Sequence, residues 1–280
     1  MRCAITGAAG YVGSAIAAAF RERGWDVVGF GRRRSAQTTD HVTYDLATEP
    51  RNLPWAGVDA LVHAAYDWRP LGWKAIRATN VEGSVRLLQA AKENGVRHAV
   101  FISSMSAFAG CRSFYGKAKV EIETAALELG FSAVRPGLVW GGESGGMLRA
   151  LEGAVARSPI IPSIGGGIFP QYLVHGEDLA RVVVAFSQPD ATSVARPISA
   201  AHPEGIAFRR LLQLLAQRQG RNPVFMPVPW QLIYGGLKTV EALRLPAPFR
   251  SDSLIGLVFQ NPSPDFSLPE MPQISFRPFA

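Results

Sequence analysis

Three glycines spaced three apart, Gly7, Gly10 and Gly13, follow the apolar run Arg2–Ile5 and lead into the helix-period segment Val12–Arg23. An apolar strand that turns through glycines straight into a helix leaves a chain of 280 residues few architectures to adopt. Each glycine has its own task. Gly7 takes the tight turn, Gly10 lets the backbone approach a ligand, and Gly13 lets helix and strand pack closely. The helix that follows offers unpaired N–H groups and the positive end of its dipole, so Ala9-Gly10-Tyr11-Val12 reads as a seat for a diphosphate.

Downstream, short apolar runs alternate with longer helix-period segments: Asp26–Phe30, Ala60–His63, Ile76–Glu93, Ala99–Ser103, Tyr115–Leu129 and Ser132–Arg135. That rhythm predicts an α/β fold, a Rossmann-type doubly wound parallel sheet whose central strands are apolar on both faces. Beyond residue 137 the pattern loosens into Gly- and Pro-rich connections, with helices expected at Gly146–Ala156, Glu177–Ser187, Phe208–Arg218 and Trp230–Leu243. This part predicts a small C-terminal α+β substrate cap. Prolines in Pro223–Pro229 and Pro246–Pro248 exclude interior helix or central strand there. The division is therefore residues 1–140, with parts of 170–200, for dinucleotide binding, and 141–170 with 201–280 for the cap.

Composition narrows the class. Hydrophobic residues at 48% and charged residues at 18% exclude a disordered chain. Two cysteines, Cys3 and Cys111, supply neither a disulfide framework nor a metal site, which implies reduced thiols in a cytoplasmic protein. Lys and Arg number 29 against 22 Asp and Glu. The excess reads as thinly spread and is assigned to an anionic small ligand rather than nucleic acid, for which Arg32-Arg33-Arg34 is too short a footprint. The opening Met1–Phe20 is broken by its glycines and reads as strand, turn and helix rather than a signal peptide, and no later run predicts a membrane span.

At the end of the second strand, where an acid usually holds the adenosine ribose hydroxyls, the chain reads Phe30-Gly31-Arg32-Arg33. A small residue makes room for a 2′-phosphate and arginine grips it with charge-assisted hydrogen bonds. The expected cofactor is NADP, with NAD left open.

Tyr115 and Lys119, four apart in a helical segment, share one face. A neighbouring ammonium stabilises a phenolate, so the two form an acid/base pair. Ser104 follows the strand Ala99–Ser103, at the carboxyl edge where open α/β sheets hold ligands, and its hydroxyl can hold a substrate oxygen. With the glycine turn, these residues make the chain resemble an extended short-chain dehydrogenase/reductase, the group called NAD-dependent epimerase/dehydratases, over roughly residues 1–187.

The resemblance implies further roles. Tyr44-Asp45-Leu46 matches the stretch whose acid contacts the adenine, so Asp45 and Leu46 join the cofactor set. Ala64 and Ala65, after His63, match the small residues lining the cofactor, and Pro136 lies in the segment beside the nicotinamide. Asn80 matches the helix asparagine that steadies the lysine through water, and family members suggest a homodimer paired through the helices Ile76–Glu93 and Tyr115–Leu129.

Departures from the pattern matter equally. Met105-Ser106 replace the acidic pair of family dehydratases, which argues against dehydration, and Gln171 replaces an arginine that grips a substrate diphosphate. Cys111 and His175 match an epimerase acid/base pair in type, but a short loop and a helix start fit structural roles better. The leading expectation is hydride transfer at a hydroxyl or keto carbon of a nucleotide-sugar or related substrate, by an epimerase or oxidoreductase with Tyr115 as acid/base. The proline-introduced apolar stretches Pro227–Trp230 and Pro246–Leu257 support an alternative, a reductase or dehydrogenase of a steroid- or polyprenyl-like substrate. A non-catalytic NADP-binding scaffold or sensor is the third reading, and the intact Ser104, Tyr115 and Lys119 set argues against it.

Overall fold

A computed structural model describes residues 1–142, 145–191, 194–245, 249–267 and 274–279. In chain order the first part runs β1 (Arg2–Thr6), α1 (Tyr11–Glu22), β2 (Asp26–Gly31), β3 (Asp40–Thr43), β4 (Ala60–His63), α2 (Trp73–Ile76), α3 (Glu82–Glu93), β5 (His98–Ile102), α4 (Phe114–Glu128) and β6 (Ser132–Pro136). There follow β7 (Leu138–Trp140), α5 (Gly146–Arg157), β8 (Ile160–Ile164), β9 (Pro170–Gln171), β10 (Leu173–His175), α6 (Gly176–Ala185) and β11 (Ile198–Ala200). The chain ends with β12 (Ile206–Ala207), α7 (Phe208–Arg218), β13 (Val224–Val228), α8 (Trp230–Ala242) and α9 (Ser251–Val258).

Among the described residues, seven strands form one sheet in the order β11-β6-β5-β4-β1-β2-β3, every pairing parallel. The order reverses between β1 and β4, and a sheet that switches direction opens a crevice at the carboxyl ends of those strands. β4 is buried along its whole length, as its unbroken apolar run requires. β3, with Asp40 and His41 in its four residues, lies at the sheet edge, and that mixed composition hides it from a pattern search.

Two apolar layers cover the sheet. α1 and α6 bring Ile16, Phe20, Val182 and Val183 to one face, while α3 and α4 bring Leu87, Leu88 and Ile122 to the other. Each such side chain contributes roughly 1.5–3 kcal/mol when fully buried. A separate cluster from α5 and α7, with Leu148, Leu151, Leu211 and Leu215, is the core of the cap. Part of the 201–280 segment runs back over the body: Phe266, Ile274 and Phe276 pack against the α1/α6 layer, and Arg277 Nη2 pairs with Asp178 Oδ1 at 2.7 Å.

The expected cap helices are present within two residues at each end. β13 occupies the stretch expected to exclude a central strand, as one half of a two-stranded ribbon with β8. Pro246–Pro248 lie outside the described residues.

Candidate active site

Gly7 adopts φ +71°, and a Cβ there would stand 2.9 Å from the Ala65 nitrogen. A Cβ on Gly13 would meet the Gly7 carbonyl oxygen at 2.2 Å. The turn therefore needs glycine at both positions: at Gly7 it lies against Ala64 and Ala65, and at Gly13 α1 packs against the turn itself. α1 begins at Gly10 with no side-chain cap and no acid in its first turn, so its N–H groups face the crevice. This shape and polarity fit the diphosphate of a dinucleotide.

A cleft of about 830 Å³ starts at this turn, crosses the carboxyl ends of the central strands and runs under the cap. Gly7, Ala9, Gly10, Tyr11, Val12, Gly13, Arg32, Arg33, Asp45, Leu46, Ala64, Ala65, Ser104, Tyr115, Lys119 and Pro136 all line it. The structure thus places these residues along one cleft. Asn80 is the exception among the expected residues. Its Oδ1 accepts the Asp67 N–H at 2.7 Å and its Nδ2 donates to the Asp67 carbonyl at 2.9 Å, so its amide holds the loop after β4.

That loop contributes residues the sequence reading passed over. Asp67 is buried, and its hydrogen bonds with Arg69 keep its carboxyl below the usual range. Arg69 Nη2 also reaches Asp45 Oδ2 at 3.1 Å, and Arg32 Nη1 stands 3.8 Å from both Asp45 and Asp67. Trp68, half exposed, stacks on the Tyr115 ring with centroids 5.1 Å apart, and Tyr66 meets the same ring edge-on at 5.0 Å. Tryptophan in a loop at the ligand end of the sheet was a visible signal; a buried aspartate in that loop was not.

α4 carries Tyr115 and Lys119. Ser113 caps its N-terminus, accepting the Gly116 N–H at 3.1 Å, and Asp252 of α9 reaches the same helix end. Lys119 is buried and donates from Nζ to the Ile102 carbonyl at 2.7 Å. Burial pushes its ammonium down to about 7, with Glu123 opposing. Burial pushes the Tyr115 phenol up to about 12, with a hydrogen bond to Ser104 opposing. Glu123, one turn past Lys119, accepts from Ser103 Oγ at 2.5 Å and from Arg135 Nη2 at 2.6 Å, so this buried carboxyl group is paired on both sides.

Three further residues hold structure. His63 is buried between Thr6 Oγ1 at 2.6 Å and Ser84 Oγ at 2.7 Å, and burial lowers it to about 3, leaving it neutral. His175 caps α6, accepting the Glu177 N–H at 3.3 Å. Cys111 is buried, and neither it nor His175 lines the cleft among the described residues.

Fold and site together define a Rossmann-like α/β protein with a serine, a tyrosine and a lysine in the cleft at the carboxyl ends of its central strands. Residues 3–129 match the model of the NAD dependent epimerase/dehydratase family, in line with the resemblance carried by the glycine turn, Ser104, Tyr115 and Lys119. An uncharacterized protein of Mycobacterium tuberculosis is 27% identical over 226 residues, 78% of this chain. The chain spans 23% of that relative's length. A ceramide reductase of Caulobacter vibrioides is 27% identical over 246 residues, covering 84% of this chain and 76% of that protein. Among solved structures, the UDP-glucuronic acid 4-epimerase of Bacillus cereus in complex with NAD shares the fold, with TM-score 0.69 at 18% identity over 82% of this chain and 86% of that one.

Proposed function

We propose that this protein is an NADP-dependent reductase of an apolar carbonyl substrate. The observation that carries the reading is the cap end of the cleft, where Leu151, Ile161, Phe208, Leu212, Leu254 and Leu257 form the wall. Among the described lining residues the cations are Arg32 and Arg33, at the far adenosine end, and Lys119. A nucleotide sugar would bury a doubly charged diphosphate against that wall, and an unpaired buried charge is strongly disfavoured. Gln171, also in the lining, offers an amide where a cation would be needed. The Caulobacter relative, a ceramide reductase, favours an apolar substrate; the solved UDP-sugar epimerases favour a sugar nucleotide.

In this reading the bound cofactor supplies a hydride to the carbonyl carbon. Ser104 and Tyr115 both hydrogen-bond the carbonyl oxygen, and Tyr115, protonated throughout the neutral range, gives its proton as the oxygen gains charge. Lys119 sits one turn along the same helix, where its ammonium favours the phenolate left behind. Trp68 covers the tyrosine ring and limits water at the donor.

The test follows NADPH oxidation with long-chain, steroid and polyprenyl ketones, beside interconversion of UDP-glucose and UDP-galactose. Turnover of an apolar ketone with inert UDP-sugars is expected. Interconversion of the sugars with no apolar turnover would return the assignment to an epimerase.

A further inference from the structure

Residues 201–250 contain seven Lys and Arg against two Asp and Glu, a local positive excess within the cap. The cap also carries an exposed apolar face. In the β8/β13 ribbon, Ile160 pairs with Val224, Pro162 with Met226 and Ile164 with Val228. Ile160, Val224 and Met226 are 49%, 66% and 51% exposed, while the intervening Ile161 and Ser163 are buried. Alternation along a strand therefore turns a wholly apolar side outward.

α8 follows that ribbon directly and has no buried residue. Its half-buried side includes Ile233 and Leu237, which line the cleft. The opposite stripe of Leu232, Gly235, Gly236, Thr239, Ala242 and Leu243 is exposed and holds no carboxylate. Glu241 is turned under, accepting from the Ser251 backbone N–H at 2.7 Å and its hydroxyl at 2.8 Å. Two adjacent glycines weaken a helix, and nothing lies within 4 Å of where either Cβ would stand. Contacts among the described residues do not explain this stripe. Exposed cations flank the face: Arg157 and Arg221 near the Ile160–Val224 end, Lys238, whose Nζ also lies 3.4 Å from Glu241 Oε2, on α8, and Arg244 just beyond it.

We infer that the face formed by β8, β13 and α8 docks on the surface of an anionic lipid bilayer. Its apolar side chains enter the interface and the four cations meet headgroups, the arrangement by which amphipathic surfaces bind without spanning. No helix among the described residues is long and apolar enough to cross a membrane. Pro162, Ile164, Ile233 and Leu237 belong both to these elements and to the cleft wall, so docking sets the cleft mouth against lipid. The inference stands on the cap surface and goes beyond the substrate reading.

The full chain would be sedimented with vesicles of phosphatidylcholine alone and of phosphatidylcholine mixed equally with phosphatidylglycerol. Binding to the mixed vesicles is expected, weaker by roughly tenfold on neutral vesicles or in high salt. The exposed double variants Leu232→Ser/Leu243→Ser and Lys238→Glu/Arg244→Glu should each lose roughly tenfold in vesicle affinity while unfolding at the wild-type temperature. A wild-type chain left in the supernatant, or equal binding to both vesicles, overturns the inference. So does gel filtration in which Leu232→Ser/Leu243→Ser converts a dimer to monomers without vesicle binding, since the face would then join two copies.

Discussion

Asp252 accepts the backbone N–H of Tyr115 at 2.9 Å and that of Phe114 at 2.7 Å, from 137 and 138 residues further along the chain. A carboxylate from the cap thus completes the N-terminus of the helix that holds Tyr115, the proposed proton donor. Helix caps contribute about 0.5–2 kcal/mol, and this one also fixes the second residue of α4. Asp252→Ala should lower stability by about 1 kcal/mol in urea unfolding. It should cut kcat roughly tenfold with cofactor affinity unchanged, because a displacement of the donor weakens the reaction and not the dinucleotide seat. Equal losses in kcat and cofactor affinity would mean that the whole site has loosened.

Tyr115→Phe removes one hydroxyl and leaves the ring stacked against Trp68. Turnover should fall at least about a hundredfold, the usual scale of general acid catalysis. Cofactor titration by fluorescence should be unchanged, since the turn at residues 7–13 is untouched. Full retained turnover would remove Tyr115 from the chemistry.

Lys119 links the site to stability. Its folded value near 7 lies below the value of about 10.4 in an unfolded chain. Below pH 7 both states are protonated and the burial penalty is felt in full. Between pH 7 and 10 the unfolded chain holds the extra proton, so stability contributed at this site rises with pH. Lys119→Met should therefore exceed wild type by a few kcal/mol at pH 6, and the gap should narrow towards pH 10. Paired denaturant curves across that range measure it, and a gap that does not change with pH would contradict the burial argument.

Much of this was legible because local patterns carry it. The glycine turn, the alternation of apolar runs with helical segments and the Tyr115–Lys119 spacing are short-range features, and each has a local physical cause. β3 and the short cap strands escaped because two to five residues give too little periodicity to read. Asp252 and Asp67 escaped for another reason. Their roles come from meeting residues far away or from a loop held by Asn80, and one sequence does not display those meetings. The clustering of positive charge in residues 201–250 was countable from the start, but its meaning depended on the exposed face that the same residues build.

The proposed preference for NADP also rests on local residues. Gly31, Arg32 and Arg33 close the adenosine end of the cleft, and Arg32 stands between Asp45 and Asp67 at 3.8 Å from each. Two carboxylates hold that guanidinium in place without a close hydrogen bond, so it can turn to a 2′-phosphate, while exposed Arg33 approaches from the rim. A phosphate removed from arginine loses charge-assisted bonds, each roughly 1.5–3 kcal/mol. Arg32→Ala/Arg33→Ala should weaken NADPH binding by roughly a hundredfold or more and NADH binding by less than about threefold. The ratio of the two dissociation constants is the measurement. Equal losses for both cofactors would mean that the arginines serve the adenosine site as a whole, and a wild-type preference for NADH would reverse the assignment to NADP.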